Sequence, residues 1–193
     1  MRRFEYGRIQ SLSWDMDILS LIAGIYRANG KEEVLLSQSP TVLESLVELA
    51  KVQSTEASNA IEGIVTTSTR LRQLVADKTT PRNRDEQEIM GYRDALNIIH
   101  DSYDSITLSR NHILQLHKIL YQYQFNARGG QLKSVQNYIS ATYPDGRTEV
   151  LFTPLAPYET AEALDQICTE YNRVVGNGEV EPCLLYTSDA ADE

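Results

Sequence analysis

With 193 residues, of which 41% are apolar, 8% aromatic and 23% charged, the chain has the size of one globular domain with at most a small extension. Collagenous, low-complexity, disordered and membrane-spanning readings are excluded by that composition, as no apolar run approaches a bilayer span. Eighteen basic against 27 acidic residues leave a net charge of −9, so no broad cationic field exists to hold nucleic acid through its phosphates.

Ile18, Leu21, Ile22 and Ile25 follow helical spacing, and Asn29-Gly30 is the expected stop of this first helix. Ser39 or Thr41 beside Pro40 gives a second start, and Leu43, Val47, Ala50, Ala57 and Ile61 continue one face until Gly63 breaks it. Leu71, Leu74 and Val75 mark a shorter helix, and Thr79-Thr80-Pro81-Arg82-Asn83 reads as a connecting loop. Two further stripes, Ile89 to Tyr103 and Ile113 to Tyr123, predict an antiparallel helix pair turned by Asp104 to Ser109. The period then changes. Val135, Asn137, Ile139 and Ala141 alternate with polar positions, and Pro144-Asp145-Gly146 turns the chain into Thr148 to Phe152, which predicts a β-hairpin inside a helical protein. Ala161, Leu164, Ile167, Cys168 and Tyr171 mark a last helix, closed by Gly176. No linker marks an internal boundary.

The eleven residues from Cys183 to Glu193 look like an in-frame translation of a transposase adapter used in sequencing libraries, so native text is expected to stop near Pro182. Cys168 is then the remaining cysteine, expected as a buried, inert thiol. The start, Met1-Arg2-Arg3-Phe4-Glu5-Tyr6, has no apolar stretch behind its arginines, so a reducing cytoplasm is the expected compartment.

Among groups that carry chemistry, His112 and His117 are five apart and share no helix face, which disfavours a metal pair; His117 reads as a packing histidine. Walker A and Gly-x-Gly-x-x-Gly loops are absent, and Gly129-Gly130 and Gly176-Asn177-Gly178 read as helix ends or turns. Ser58 and Glu62 are four apart and lie on one helix face, with Gly63 as the break. A carboxylate there faces the negative end of the helix dipole, at a cost of roughly 0.3–1 kcal/mol that a cation would relieve. From spacing alone a solvated surface glutamate is the commoner reading.

Ser58-x-x-x-Glu62-Gly63 resembles the (Ser/Thr)-x-x-x-Glu-(Gly/Asn) inhibitory motif of Fic-domain proteins, in the class that carries the inhibitory helix ahead of the Fic core. The stretch from Glu56 to Ile64, the following Thr66-Thr67, the Leu116-His117-Lys118-Ile119-Leu120 helix and the hairpin leading to Phe152-Thr153-Pro154 are similar to that family in the same order. The resemblance covers residues 1 to 182. It implies an all-α Fic-type bundle with one β-hairpin, the flap, and with the C-terminal part of the core missing. Residues 1–80 would be the N-terminal region with the inhibitory helix, 81–182 the first part of the core, and 183–193 non-native.

The implied activity is transfer of AMP from ATP, with Mg2+ or Mn2+, to a Ser, Thr or Tyr hydroxyl of a protein target. The family's His-Pro-Phe-x-(Asp/Glu)-Gly-Asn-(Gly/Lys)-Arg loop does not occur, so no catalytic or metal-binding residue is assigned and the chain as given is expected to be inactive. Gly176-Asn177-Gly178 copies three letters of that loop without its histidine or arginine. Glu62, helped by Ser58, would occupy an arginine of the missing loop and compete with the ATP γ-phosphate. Lys133, Val135, Asn137, Ile139, Val150 and Phe152 would form the flap that docks a target segment by strand addition, with Lys133 where many relatives carry arginine. A homodimer is allowed; a membrane or nucleic-acid partner is not expected. The competing class is a non-catalytic helical module, antitoxin-like, that supplies an inhibitory helix in trans. Within the family, transfer of other phosphate-containing groups or removal of AMP is the third reading.

Overall fold

The computed structural model describes Ile9, Ser13 and residues 15–38, 40–125 and 128–180. The helix start at Ser39, the stop near Pro182 and the segment 183–193 with Cys183 lie outside the described residues. Those described form six helices and one two-stranded antiparallel hairpin: α1 (Met16–Gln38), α2 (Pro40–Ile61), α3 (Ser68–Val75), α4 (Arg84–Ser102), α5 (Arg110–Leu120), β1 (Ile139–Thr142), β2 (Thr148–Phe152) and α6 (Pro157–Gly176). The predominantly helical class with a single hairpin therefore agrees with the sequence. Two compact units share these elements, one of residues 15–101 and 119–125, the other of Ile9, 102–118 and 128–180.

In the first unit, α1 runs straight through Asn29-Gly30, against the expected stop. An interior glycine costs a helix only about 1 kcal/mol, and Lys31 to Leu36 behind it favour continuation. α2 starts with Pro40, whose missing N–H is harmless at a first helical position, and ends as expected at Gly63, in the left-handed region at φ +76°. Gly63 N–H donates to Ala60 O at 3.0 Å and Ile64 N–H to Asn59 O at 2.9 Å, which closes the helix.

The buried side of α2 differs from the predicted stripe. Ile61 is 83% exposed and Val47 is also exposed, whereas Thr55 and Asn59 are buried and Val52 packs against the core. Asn59 can face inward because its Nδ2 donates to Thr55 O at 2.8 Å. Thr55 Oγ1 has no hydrogen-bond partner among the described residues although the residue is fully buried. Burying an unpaired hydroxyl costs about 1–3 kcal/mol, so Thr55→Val, which keeps the shape, is expected to raise stability by about 1 kcal/mol. Urea denaturation checks this, and a lowered midpoint would show that the hydroxyl is used.

Leu71, Leu74, Ile89 and Met90 form the core of this unit, with Val52, Ile64, Val75 and Tyr123 packed around it. Two buried arginines tie the elements together. Arg70 on α3 makes a fork on Glu86 of α4, Nε to Oε1 at 2.8 Å and Nη2 to Oε2 at 2.9 Å. The same guanidinium bonds Thr79 Oγ1 and, at 2.5 Å, Thr80 O, while Arg82 N–H donates to Glu86 Oε2 at 2.7 Å. Arg93 of α4 donates to Leu74 O at 2.6 Å and to Asp77 Oδ1 at 3.0 Å, placing a cation at the negative end of α3. Its Nε reaches Asp94 at 2.7 Å, and Asp94 in turn accepts from Gln122 Nε2 at 2.6 Å and Tyr123 OH at 2.7 Å. Burial and Asp94 together push the Tyr123 phenol above its ordinary pKa. α4 stops at Ser102, and Tyr103, predicted as the end of its stripe, is 72% exposed.

In the second unit, Val174 and Val180 are buried against Ile9, Ile167, Tyr171 and Val175. Pro157 opens α6, and the Glu159 carboxylate accepts the Ala156 N–H at 3.1 Å. The Gly176-Asn177-Gly178 stretch caps its end as expected, with Asn177 N–H to Arg173 O and Gly178 N–H to Val175 O. Cys168 is buried on α6, and burial raises its thiol pKa, which agrees with an unreactive cysteine. His117 accepts the Gly130 N–H at Nδ1, 3.0 Å, in keeping with a packing role.

Candidate functional site

The C-terminal turn of α2 borders a cavity of about 600 Å3, large enough for a small ligand or a side chain of a partner. Ser58, Asn59 and Glu62 line it from α2, so the two motif residues that the sequence places on one face do open on one space. Arg84, Asp85, Glu88 and Tyr92 of α4 form the opposite wall, and Leu120 and Tyr121 complete it. Close approach makes that third wall: a Cβ built on Gly91 would stand 2.0 Å from Leu120 O, so only glycine lets α4 lie against this backbone.

The three carboxylates of the cavity differ in their surroundings. Glu88 is paired, accepting from Arg84 Nε at 2.8 Å and from Gln124 Nε2 at 3.0 Å. Asp85 lies in the first turn of α4, where the positive end of the dipole favours it. Glu62 follows the last residue of α2, at the end where the dipole disfavours an anion, is exposed, and has no hydrogen bond or ion pair among the described residues. It is therefore the carboxylate with the most to gain from an incoming cation, and arginine offers a bidentate match.

Ser58 Oγ accepts a hydrogen bond from Tyr92 OH at 2.9 Å. Sequence reading placed Tyr92 in an apolar stripe and missed its part in the site; a tyrosine at a stripe position carries no signal of where its hydroxyl points. Asp85, Glu88, Leu120 and Tyr121 were also missed, because the cavity is assembled from three segments that run from Ser58 to Tyr121 in sequence.

The residues expected to form the flap belong to the second unit. β1 pairs with β2 through Ser140↔Val150, Ala141↔Glu149 and Thr142↔Thr148, with an irregularity between Ile139 and Ser140. Ile139, Val150 and Phe152 are exposed strand residues. The strand begins at Ile139 instead of Val135, which corrects the predicted alternation. Asn137 is taken up by Lys133, whose Nζ donates to its Oδ1 at 2.9 Å, and Val135 is 70% exposed with no strand partner. Gln136 Nε2 donates to Asn137 O at 3.0 Å, a local side-chain bond that occupies a backbone acceptor a ladder would use.

Among the described residues no three His, Cys, Asp or Glu side chains gather to hold a metal, and no helix is long and apolar enough to cross a membrane. No model of a known protein family matches the chain, and no curated protein matches it.

Proposed function

We propose that this chain is the regulatory, N-terminal part of a Fic-type protein adenylyltransferase, with an all-α Fic bundle, a flap hairpin and Glu62 as the inhibitory group. The observation that supports the reading is the Glu62 carboxylate, without a partner among the described residues, beside Ser58 at the dipole-disfavoured end of α2 and opening on a cavity of about 600 Å3. An arginine entering this cavity would pair with Glu62 and be lost to a nucleotide γ-phosphate. The residues present do not fit the ATP phosphates themselves, since the lining carries three carboxylates against one arginine and no glycine-rich cradle occurs, and among the described residues no three carboxylate, histidine or cysteine side chains gather to hold Mg2+. Binding of both is left to a His-Pro-Phe loop encoded beyond position 182, and this chain contributes regulation and, through the open edges of β1 and β2, docking of a target strand.

The reading is tested at the locus and in the assay. An in-frame His-Pro-Phe loop is expected past the Pro182 codon. In the complete reading frame, Glu62→Gly is expected to raise AMP incorporation from labelled ATP by about ten-fold or more, the equivalent of one lost charge-assisted pair. Unchanged incorporation would sink the inhibitory role.

A further inference from the structure

We infer that Tyr92 is the positioning residue of this site: its phenol, carried on α4, fixes the last turn of α2 through Ser58 and so sets where the Glu62 carboxylate stands. The regulatory consequence rests on the reading of Glu62 above, whereas the hold on the turn does not. Tyr92 OH donates to Ser58 Oγ at 2.9 Å across 34 positions of sequence. Among the described residues this is the only side-chain hydrogen bond from another element to residues 58–62. A helical serine ordinarily turns its hydroxyl back to the carbonyl one turn earlier, but here the oxygen is engaged outward instead. Glu62 follows one turn later, at the point where α2 gives way to Gly63. Helix ends fray first, so a tether at Ser58 acts where the chain opens most readily.

The partners on α4 are themselves well held. Gly91 is pressed on Leu120, Arg93 is buried among Leu74, Asp77 and Asp94, and Ile89 and Met90 lie in the core. Tyr92 thus offers a fixed reference on another element for a turn whose other holds are the buried Asn59, the backbone bonds of Gly63 and Ile64 and the packing of Ile64. The arrangement also explains why a hydroxyl residue is useful four positions before Glu62: it is the acceptor that α4 reads.

Amide hydrogen exchange on the 193-residue chain tests the hold without any nucleotide. Tyr92→Phe and Ser58→Ala are each expected to speed exchange at Glu62, Gly63 and Ile64 on the order of five-fold, the worth of one hydrogen bond. The double variant should exchange no faster than either, Ser58→Thr should keep the original rate, and amides of Ile89 and Met90 should not change. Original protection in Tyr92→Phe, or additive effects, overturns the inference. In the complete reading frame, Tyr92→Phe should raise AMP incorporation when Glu62 is present and leave it unchanged in a Glu62→Gly background. Faster exchange without raised incorporation, in a protein that Glu62→Gly does activate, overturns the claim that Tyr92 positions Glu62. If Glu62→Gly itself changes nothing, the regulatory reading falls while the exchange result still decides the hold of Tyr92 on the turn.

Discussion

Glu86→Ala is expected to destabilise the chain by about 3–5 kcal/mol, a large share of the stability of an ordinary domain. The carboxylate accepts four bonds, two from Arg70, one from Arg82 N–H and a long one of 3.5 Å from Thr66 Oγ1, and its side chain is only 5% exposed. Its loss strands a buried guanidinium whose remaining partners, Thr79 and Thr80 O, carry no full charge. The Arg70 bonds hold the Glu86 carboxyl at a pKa of about 2, against 4.5 for an ordinary glutamate. A depressed pKa means that the unfolded chain binds the proton first. The contribution is therefore complete above about pH 4.5 and is lost as pH falls toward 2. Glu86→Gln should flatten the stability profile across that window, and an unchanged acid limb in circular dichroism titration would rule the pair out as its cause.

Gly91→Ala is the second large effect. In an exposed helix interior this change stabilises by roughly 0.5–1 kcal/mol. Here the new carbon would meet a backbone carbonyl oxygen at 2.0 Å and its carbon at 2.6 Å, with no rotamer able to move aside. Overpacking of this kind costs about 1–3 kcal/mol or more, so the sign reverses. The expected result is a lowered denaturation midpoint together with faster amide exchange over 119–125, the segment that also builds the third wall of the cavity. An alanine variant as stable as the parent would show that α4 and Leu120 are further apart than described.

Much of the fold was legible where one residue type decides the backbone. Gly63 ended α2 and Pro144-Asp145-Gly146 turned the hairpin, both at the expected places. Gly30 did not end α1, because a glycine signals a stop only when the chain beyond it cannot continue a helix. The inward side of α2 was misjudged since Thr55 and Asn59 are polar by letter, and Asn59 meets its need with a local carbonyl that no periodicity count includes. Of the site, Ser58 and Glu62 were found through a short local pattern. Tyr92, Asp85 and Glu88 were not, since their role depends on how α4 meets α2, and spacing within one helix says nothing about its neighbour.

The stretch between α3 and α4 illustrates the same limit from another side. In sequence it is a plain polar connector, of the kind that tolerates insertion at small entropic cost. In the structure Thr79, Thr80 and Arg82 are all partners of the Arg70–Glu86 pair, so its length is measured out by hydrogen bonds. For anyone dividing or labelling this protein, 79–82 is a closed position despite its loop composition. The open one is the hairpin tip, where a Cβ built on Gly146 would meet nothing within 4 Å.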